Sequence, residues 1–267
     1  MSLFQSLYQK NKYLPAIHIV RGIYWRTKFK SRNPIIARHA CLGADVLHIL
    51  NSRFDVINIQ KGRIDYLLEC WQNSRIKAKT SKVVEHMQRT EIIDCVLQEE
   101  ILYDWIKPEK PVALFMDSMG ELADQRFEHK RERWSFLSSY TDLAHTDKFR
   151  NEFLPNGLLP IEKLETYYES FFSKIRIQYG NLPIFFLHFP YKLESREKFR
   201  ERGISIKNVL DKLAEKDPLF FSISVEENLV DWDELRTPEM WDFAYHYNKE
   251  TYKRFAELVL STGYWPV

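Results

Sequence analysis

"PVALFMDSMGELADQRF", residues 111–127, begins as a buried strand and ends among acids. Val112 to Met116 form an unbroken apolar run, which is what a strand covered on both faces requires. Asp117, Ser118, Gly120, Glu121 and Asp124 then follow within eight positions. Open α/β sheets hold their ligands just outside the carboxyl ends of such strands. The stretch therefore predicts both a fold class and the edge of the sheet on which to look for a site.

Four similar runs lie on either side: "PIIARHA" (34–40), "FDVINI" (54–59), "PIFFLHF" (183–189) and "LFFSISV" (219–225). Helical periodicity fills the intervals. Leu42, Val46, Ile49 and Leu50 share one face, and a long, mostly helical segment is expected over roughly 63–106, with Val83, Val84, Met87, Ile92, Val96 and Leu97 on its apolar side. Ile161, Leu164, Tyr168, Phe171, Phe172 and Ile175 form another stripe, closed by Gly180-Asn181 as a C-cap. A helix is expected near 204–215, and a last one after the N-cap Asn248, packing Tyr252, Phe255, Ala256 and Val259 inward. Five short strands alternating with helices predict one doubly wound α/β domain over 34–267, with a mainly parallel five-stranded sheet and helices on both faces. The polar, aromatic stretch near 128–159 is expected to be an insertion or lid.

Composition narrows the partners. Lys and Arg number 39 against 37 Asp and Glu in 267 residues, so no polyanionic partner is expected and no nucleic acid. The basic residues cluster in an N-terminal arm, 1–33. Arg21, Arg26, Lys28, Lys30 and Arg32 lead to Arg38 with no acid from 21 to 38. A solvated arm is the simpler expectation, and peripheral membrane contact is the alternative. Three cysteines, Cys41, Cys70 and Cys95, without Cys-x-x-Cys spacing suit reduced thiols and a cytoplasmic location. Nothing resembles a secretory signal, and the longest apolar runs are too short to span a bilayer. Asp117, Glu121, Asp124 and His129 match no metal-loop spacing, so no metal is expected. Neither G-x-G-x-x-G nor a Walker motif occurs, so no nucleotide cofactor is expected either.

The polar residues past the strand ends are the candidate site. Cys41, Gly43 and Asp45 follow the first strand, and Asp117, Ser118, Gly120 and Glu121 the third. His188 closes the fourth, and Asn228, Asp231 and Asp233 follow the fifth. "WDFAYHYN" (241–248) places Asp242, Tyr245 and His246 in a turn before the last helix. Nucleophilic acyl transfer needs a hydroxyl or thiol, an imidazole base, a carboxylate to orient it, and N–H donors for the oxyanion. Ser118 supplies the hydroxyl, His246 the base, and Asp242 (or Asp231 or Asp233) the carboxylate. Gly43, Gly120 and Asn228 supply candidate oxyanion donors, and Gly120 would let the backbone approach a substrate. His188, inside an apolar strand, reads more simply as a satisfied core histidine. Tyr191, Tyr245 and Tyr247 are candidates for stacking on a sugar, with packing as the alternative.

This order of elements, with "WDFAYHYNKETYKRFAELV" closing it, resembles the SGNH, or GDSL-like, hydrolase superfamily. Members of that superfamily have a five-stranded parallel sheet and a catalytic Asp-x-x-His before the last helix. Here the spacing is Asp242-x-x-x-His246, one residue longer. After the first strand, where the family places its serine, this chain has His39-Ala40-Cys41-Leu42-Gly43, with Ala40 at the expected serine. Ser118 as nucleophile, Cys41 as a thiol nucleophile, and a binding cleft without chemistry all stay open. The resemblance implies a carbohydrate esterase or O-acyltransferase, as in bacterial surface-polysaccharide biosynthesis, acting on a carbohydrate or glycoconjugate. No cofactor is expected beyond an acyl donor such as acetyl-CoA if it is a transferase. The alternatives are a non-catalytic glycan- or partner-binding module and a sugar transferase.

Overall fold

The computed structural model of the chain describes residues 33–50, 53–72, 78–101, 110–234 and 244–266. The basic arm up to residue 32 and Asp242 lie outside them. Each of the five apolar runs forms a strand of one parallel sheet. The strands are β1 (Ile35–Arg38), β2 (Val56–Asn58), β3 (Ala113–Asp117), and, later in the chain, β7 (Ile184–Leu187) and β8 (Phe220–Ile223). Their order is β2-β1-β3-β7-β8, every pairing parallel. β1, β3 and β7 are buried along their whole length, as central strands covered on both faces must be.

The main connecting helices are α1 (Cys41–Leu50), α2 (Ile64–Gln72), α3 (Met119–Ala123), α4 (Leu164–Tyr179), α5 (Glu197–Ala214) and α6 (Lys249–Ser261). α4 buries Leu164, Tyr168, Phe171, Phe172 and Ile175, the stripe expected from the sequence, and ends on Gly180 at φ 59. α6 starts at Asn248, whose Oδ1 accepts the Thr251 N–H at 2.9 Å. It packs against α1, and Trp265 just beyond it meets the rings of Phe115 and Phe185 edge-on. Burial of each such large apolar side chain stabilises the fold by roughly 1.5–3 kcal/mol.

The mostly helical segment expected over roughly 63–106 is, among its described residues, one helix and a run of short helical pieces. α2 ends at Gln72, and the described remainder is a series of short turns between Thr80 and Ile101. Its apolar residues serve two layers. Ile64, Leu67 and Leu68 join the main core, while Val83, Ile93, Val96 and Leu97 join a second. That second core belongs to the inserted stretch, which is a folded layer rather than a loose lid. β4 (Asp124–His129), β5 (Ser135–Ser139) and β6 (Phe153–Gly157) form an antiparallel sheet in the order β5-β4-β6. Phe127, Trp134, Phe136, Phe149 and Phe153 fill its buried face. No helix among the described residues is long and apolar enough to cross a membrane.

Candidate active site at the reversal of strand order

The chain runs from β1 outward to β2, then returns to the other side of β1 to lay down β3. The loops leaving β1 and β3 therefore turn to opposite faces, the position at which open α/β sheets hold their ligands. Asp117 ends β3, and Cys41, Gly43, Ser118, Gly120 and Glu121 sit on these two loops and the helices they start.

Asp117 ties the loops together. Its Oδ2 accepts the N–H groups of Ala40 (2.7 Å) and Gly43 (3.3 Å), and its Oδ1 accepts that of Met119 (3.1 Å). Burial pushes its carboxyl up to about 6, against the pull of Arg38 and the three N–H donors. Beneath it, Arg38 donates through Nη1 to both oxygens of Glu121 (3.0 and 2.9 Å) and through Nη2 to the Asp117 carbonyl (2.8 Å). Glu121 also accepts the Ile64 N–H and the Tyr168 hydroxyl. Glu121 is thus the buried counter-ion of Arg38 and not a group facing a ligand.

The two glycines have structural reasons of their own. A Cβ on Gly43 would stand 2.3 Å from the Cβ of His39, and one on Gly120 would stand 2.5 Å from Arg38 Nη1. Gly120 makes room for the buried guanidinium, where the sequence suggested approach to a substrate. The Gly43 N–H, an expected oxyanion donor, is engaged by Asp117.

Ser118 is buried, with 3% of its surface exposed. Its Oγ accepts the Phe189 N–H at 3.2 Å and its own N–H donates to the Leu187 carbonyl. The side chain thus pins the start of the loop after β7 to the end of β3. Cys41 stands differently. It opens α1, is half-buried, and its thiol donates to the Tyr245 carbonyl at 3.5 Å. Burial, with Asp117 and Asp45 nearby, pushes that thiol up to about 12.

The contact from Cys41 places the Tyr245–Tyr247 turn against the start of α1. Its anchors are numerous. The Tyr245 hydroxyl donates to Glu194 (2.6 Å) and accepts from Arg196 (3.1 Å), while Arg196 also grips Glu194 through two nitrogens. The Tyr247 hydroxyl donates to the Pro190 carbonyl, and the Phe189 ring packs against both tyrosines. Tyr245 and Tyr247 are therefore buried anchors rather than sugar-stacking platforms. His246, between them, is half-buried, and its carbonyl accepts the Asp233 N–H at 3.4 Å.

Two expected residues lie elsewhere. His188 follows β7, on the side of β3 away from β1, where its Nε2 meets Ser222 Oγ at 2.8 Å. Asn228 is exposed on the turn Glu227–Leu229 after β8, the edge strand, two strands from β3. Arg38, Glu194 and Arg196 were not anticipated. Arg38 carried a signal, since a charge inside an apolar run such as "PIIARHA" demands a buried partner. No protein-family model matches the chain, and no match to it was found among curated proteins.

Proposed function

We propose that the chain is an SGNH-like acyl hydrolase or O-acyltransferase acting on a carbohydrate ester, with Cys41 as nucleophile and His246 as its base. The observation that carries this reading is the 3.5 Å contact between Cys41 Sγ and the Tyr245 carbonyl. It brings the residue next to His246 against Cys41, the first residue of the helix that follows β1, at the reversal of strand order. Ser118, expected from the sequence to be the nucleophile, is buried and engaged by Phe189.

A thiol pushed up to about 12 rests protonated and needs a base at the moment of attack, as a serine hydroxyl does. Sulfur bonds to the acyl carbon, its proton passes to His246, and the leaving alkoxide takes that proton as the C–O bond breaks. Water or an acceptor hydroxyl then attacks the thioester, giving its proton to His246 and returning the thiol. The carbohydrate follows from the family resemblance and from no contact at these strand ends.

The test is acylation with p-nitrophenyl acetate, followed by peptide mass mapping, alongside a fluorophosphonate probe. The expected result is a hydroxylamine-labile acetyl group on Cys41, absent from Cys41→Ala and reduced at least about tenfold in His246→Gln. A fluorophosphonate adduct on Ser118 would return the nucleophile's role to that residue. Absence of any adduct on the folded chain would favour the second reading, a glycan- or partner-binding module. That module is favoured by one observation, the engagement of the Gly43 N–H by Asp117.

A further inference from the structure

The inserted layer carries a second cluster of reactive groups, packed against its aromatic core. His86 ends the turn Val84–His86 and is 3% exposed, its ring held edge-on by Phe149 (5.4 Å) and Phe153 (5.7 Å). Its Nε2 lies 3.2 Å from Glu152 Oε2 and 3.7 Å from Glu85 Oε1. One nitrogen and one oxygen from each carboxylate all fall within 4.8 Å of one another.

We propose that Glu85, His86 and Glu152 form a binding site for a first-row divalent cation, zinc in the first instance. Bonds of about 2.0–2.1 Å in a tetrahedral shell put neighbouring donor atoms roughly 3.3–3.4 Å apart. The two distances from His86 Nε2 bracket that value. A ring nitrogen carries at most one proton and can satisfy one of the two carboxylates as a donor, whereas a cation satisfies both and removes their repulsion. One imidazole with two carboxylates is a borderline donor set suited to zinc. Lys148 Nζ engages Glu85 through Oε2 at 2.6 Å, leaving Oε1 toward His86.

A second observation comes from the space beside the cluster. Glu85 and Glu152 line a half-open cavity of about 690 Å³, together with Lys82, Lys148, Asn151 and His129. His129 is 8% exposed, and its Nδ1 accepts the N–H groups of Arg131 (3.3 Å) and Glu132 (3.2 Å). That pattern assigns the ring proton to Nε2, and among the described residues this N–H meets no acceptor. It is a donor available to a water or anion in the cavity. Three protein ligands with a fourth position left to solvent is the arrangement of a reactive zinc site rather than a closed structural one. The ligands come from positions 85, 86 and 152, a spacing without a sequence motif.

The test is zinc uptake by the metal-stripped full chain, measured by equilibrium dialysis with elemental analysis and by titration calorimetry. The expected result is saturable binding of one zinc per chain, weakened at least about tenfold in Glu85→Gln and in Glu152→Gln. Both variants keep shape and volume on exposed or half-buried side chains, and circular dichroism checks that they fold. Lys148→Met, which removes the competing ammonium, should bind more tightly. Zinc should raise the melting temperature of the wild-type chain and leave that of Glu152→Gln unchanged. Failure of the folded wild type to take up one equivalent would overturn the site. Affinity unchanged in both glutamine variants would do the same.

Discussion

His188 shows how a single buried side chain can set the response of the whole fold to acid. The Ser222 hydroxyl donates to Asp211 Oδ1 at 2.6 Å, so the Ser222 oxygen must accept from the Nε2–H of His188. Among the described residues Nδ1 is then a buried acceptor without a partner, and burial pushes the ring's pKa down to about 3. In the unfolded chain the ring takes a proton near 6.5. Between those values the unfolded state binds a proton that the folded state refuses. Stability is therefore complete above about pH 6.5 and falls as the pH drops, by up to about 1.4 kcal/mol per unit. His39, pushed down by burial to about 4, acts in the same direction. Asp117 opposes them, because its raised carboxyl binds a proton in the fold before it does in the unfolded chain. His188→Gln keeps a donor to Ser222 but cannot titrate. Its stability difference between pH 7 and pH 5, from urea unfolding, should be smaller than the wild type's by about 2 kcal/mol. A variant with the wild-type difference would place the acid sensitivity elsewhere.

The elements of the main sheet were legible because each strand is an apolar run and each helix repeats at its own period. Asn248 and Gly180 mark helix ends by chemistry that is local in sequence. What was not legible depends on contacts between elements. The segment after α2 changes partner from the main core to the aromatic layer, so no single stripe describes it. In β4, Phe127 stands among polar neighbours, and in β5 Phe136 and Leu137 are adjacent, so neither strand gives an alternation to read. The candidate site divides in the same way. That the ends of β1 and β3 lie side by side follows from strand order, whereas the burial of Ser118 and the task of Gly120 depend on Phe189 and Arg38. The glycines test this. Gly203, inside α5, has only Leu122 Cδ1 within reach of an added Cβ, at 3.9 Å. Gly203→Ala should raise stability by about 0.5–1 kcal/mol. Gly120→Ala must displace the Arg38 guanidinium from Glu121 and should cost about 3 kcal/mol or more. Urea unfolding of both variants checks the pair, and equal responses would contradict the role assigned to Gly120.

At the scale of the molecule, the inserted layer is joined to the sheet through buried charge as well as apolar packing. Lys61, just past β2, donates to Asp124 at 2.7 Å, where β4 begins, and reaches Asp142 at 3.5 Å. Burial alone would favour its neutral form, but the two carboxylates outweigh that and hold its pKa above the ordinary lysine value. Arg63 adds bonds to the Asp124 and Gly157 carbonyls, and Glu99 accepts the Leu137 N–H with both oxygens. Buried pairs of this kind add little net stability when complete but cost several kcal/mol when one partner is removed. Lys61→Met leaves Asp124 and Asp142 facing each other without the buried cation and should destabilise the chain by about 3–5 kcal/mol. The loss should be local first. Amide hydrogen exchange should rise in β4, β5 and β6 before it rises in β1 and β3, because the two layers have separate cores. Adding Asp124→Asn removes one unpaired charge and should restore part of the loss. Because the proposed zinc ligands ride on the inserted layer and Cys41 on the main sheet, Lys61→Met should weaken zinc uptake while leaving acylation of Cys41 in place. Parallel loss of both would mean that the layers unfold as one unit, and would remove the separation on which the two sites are assigned.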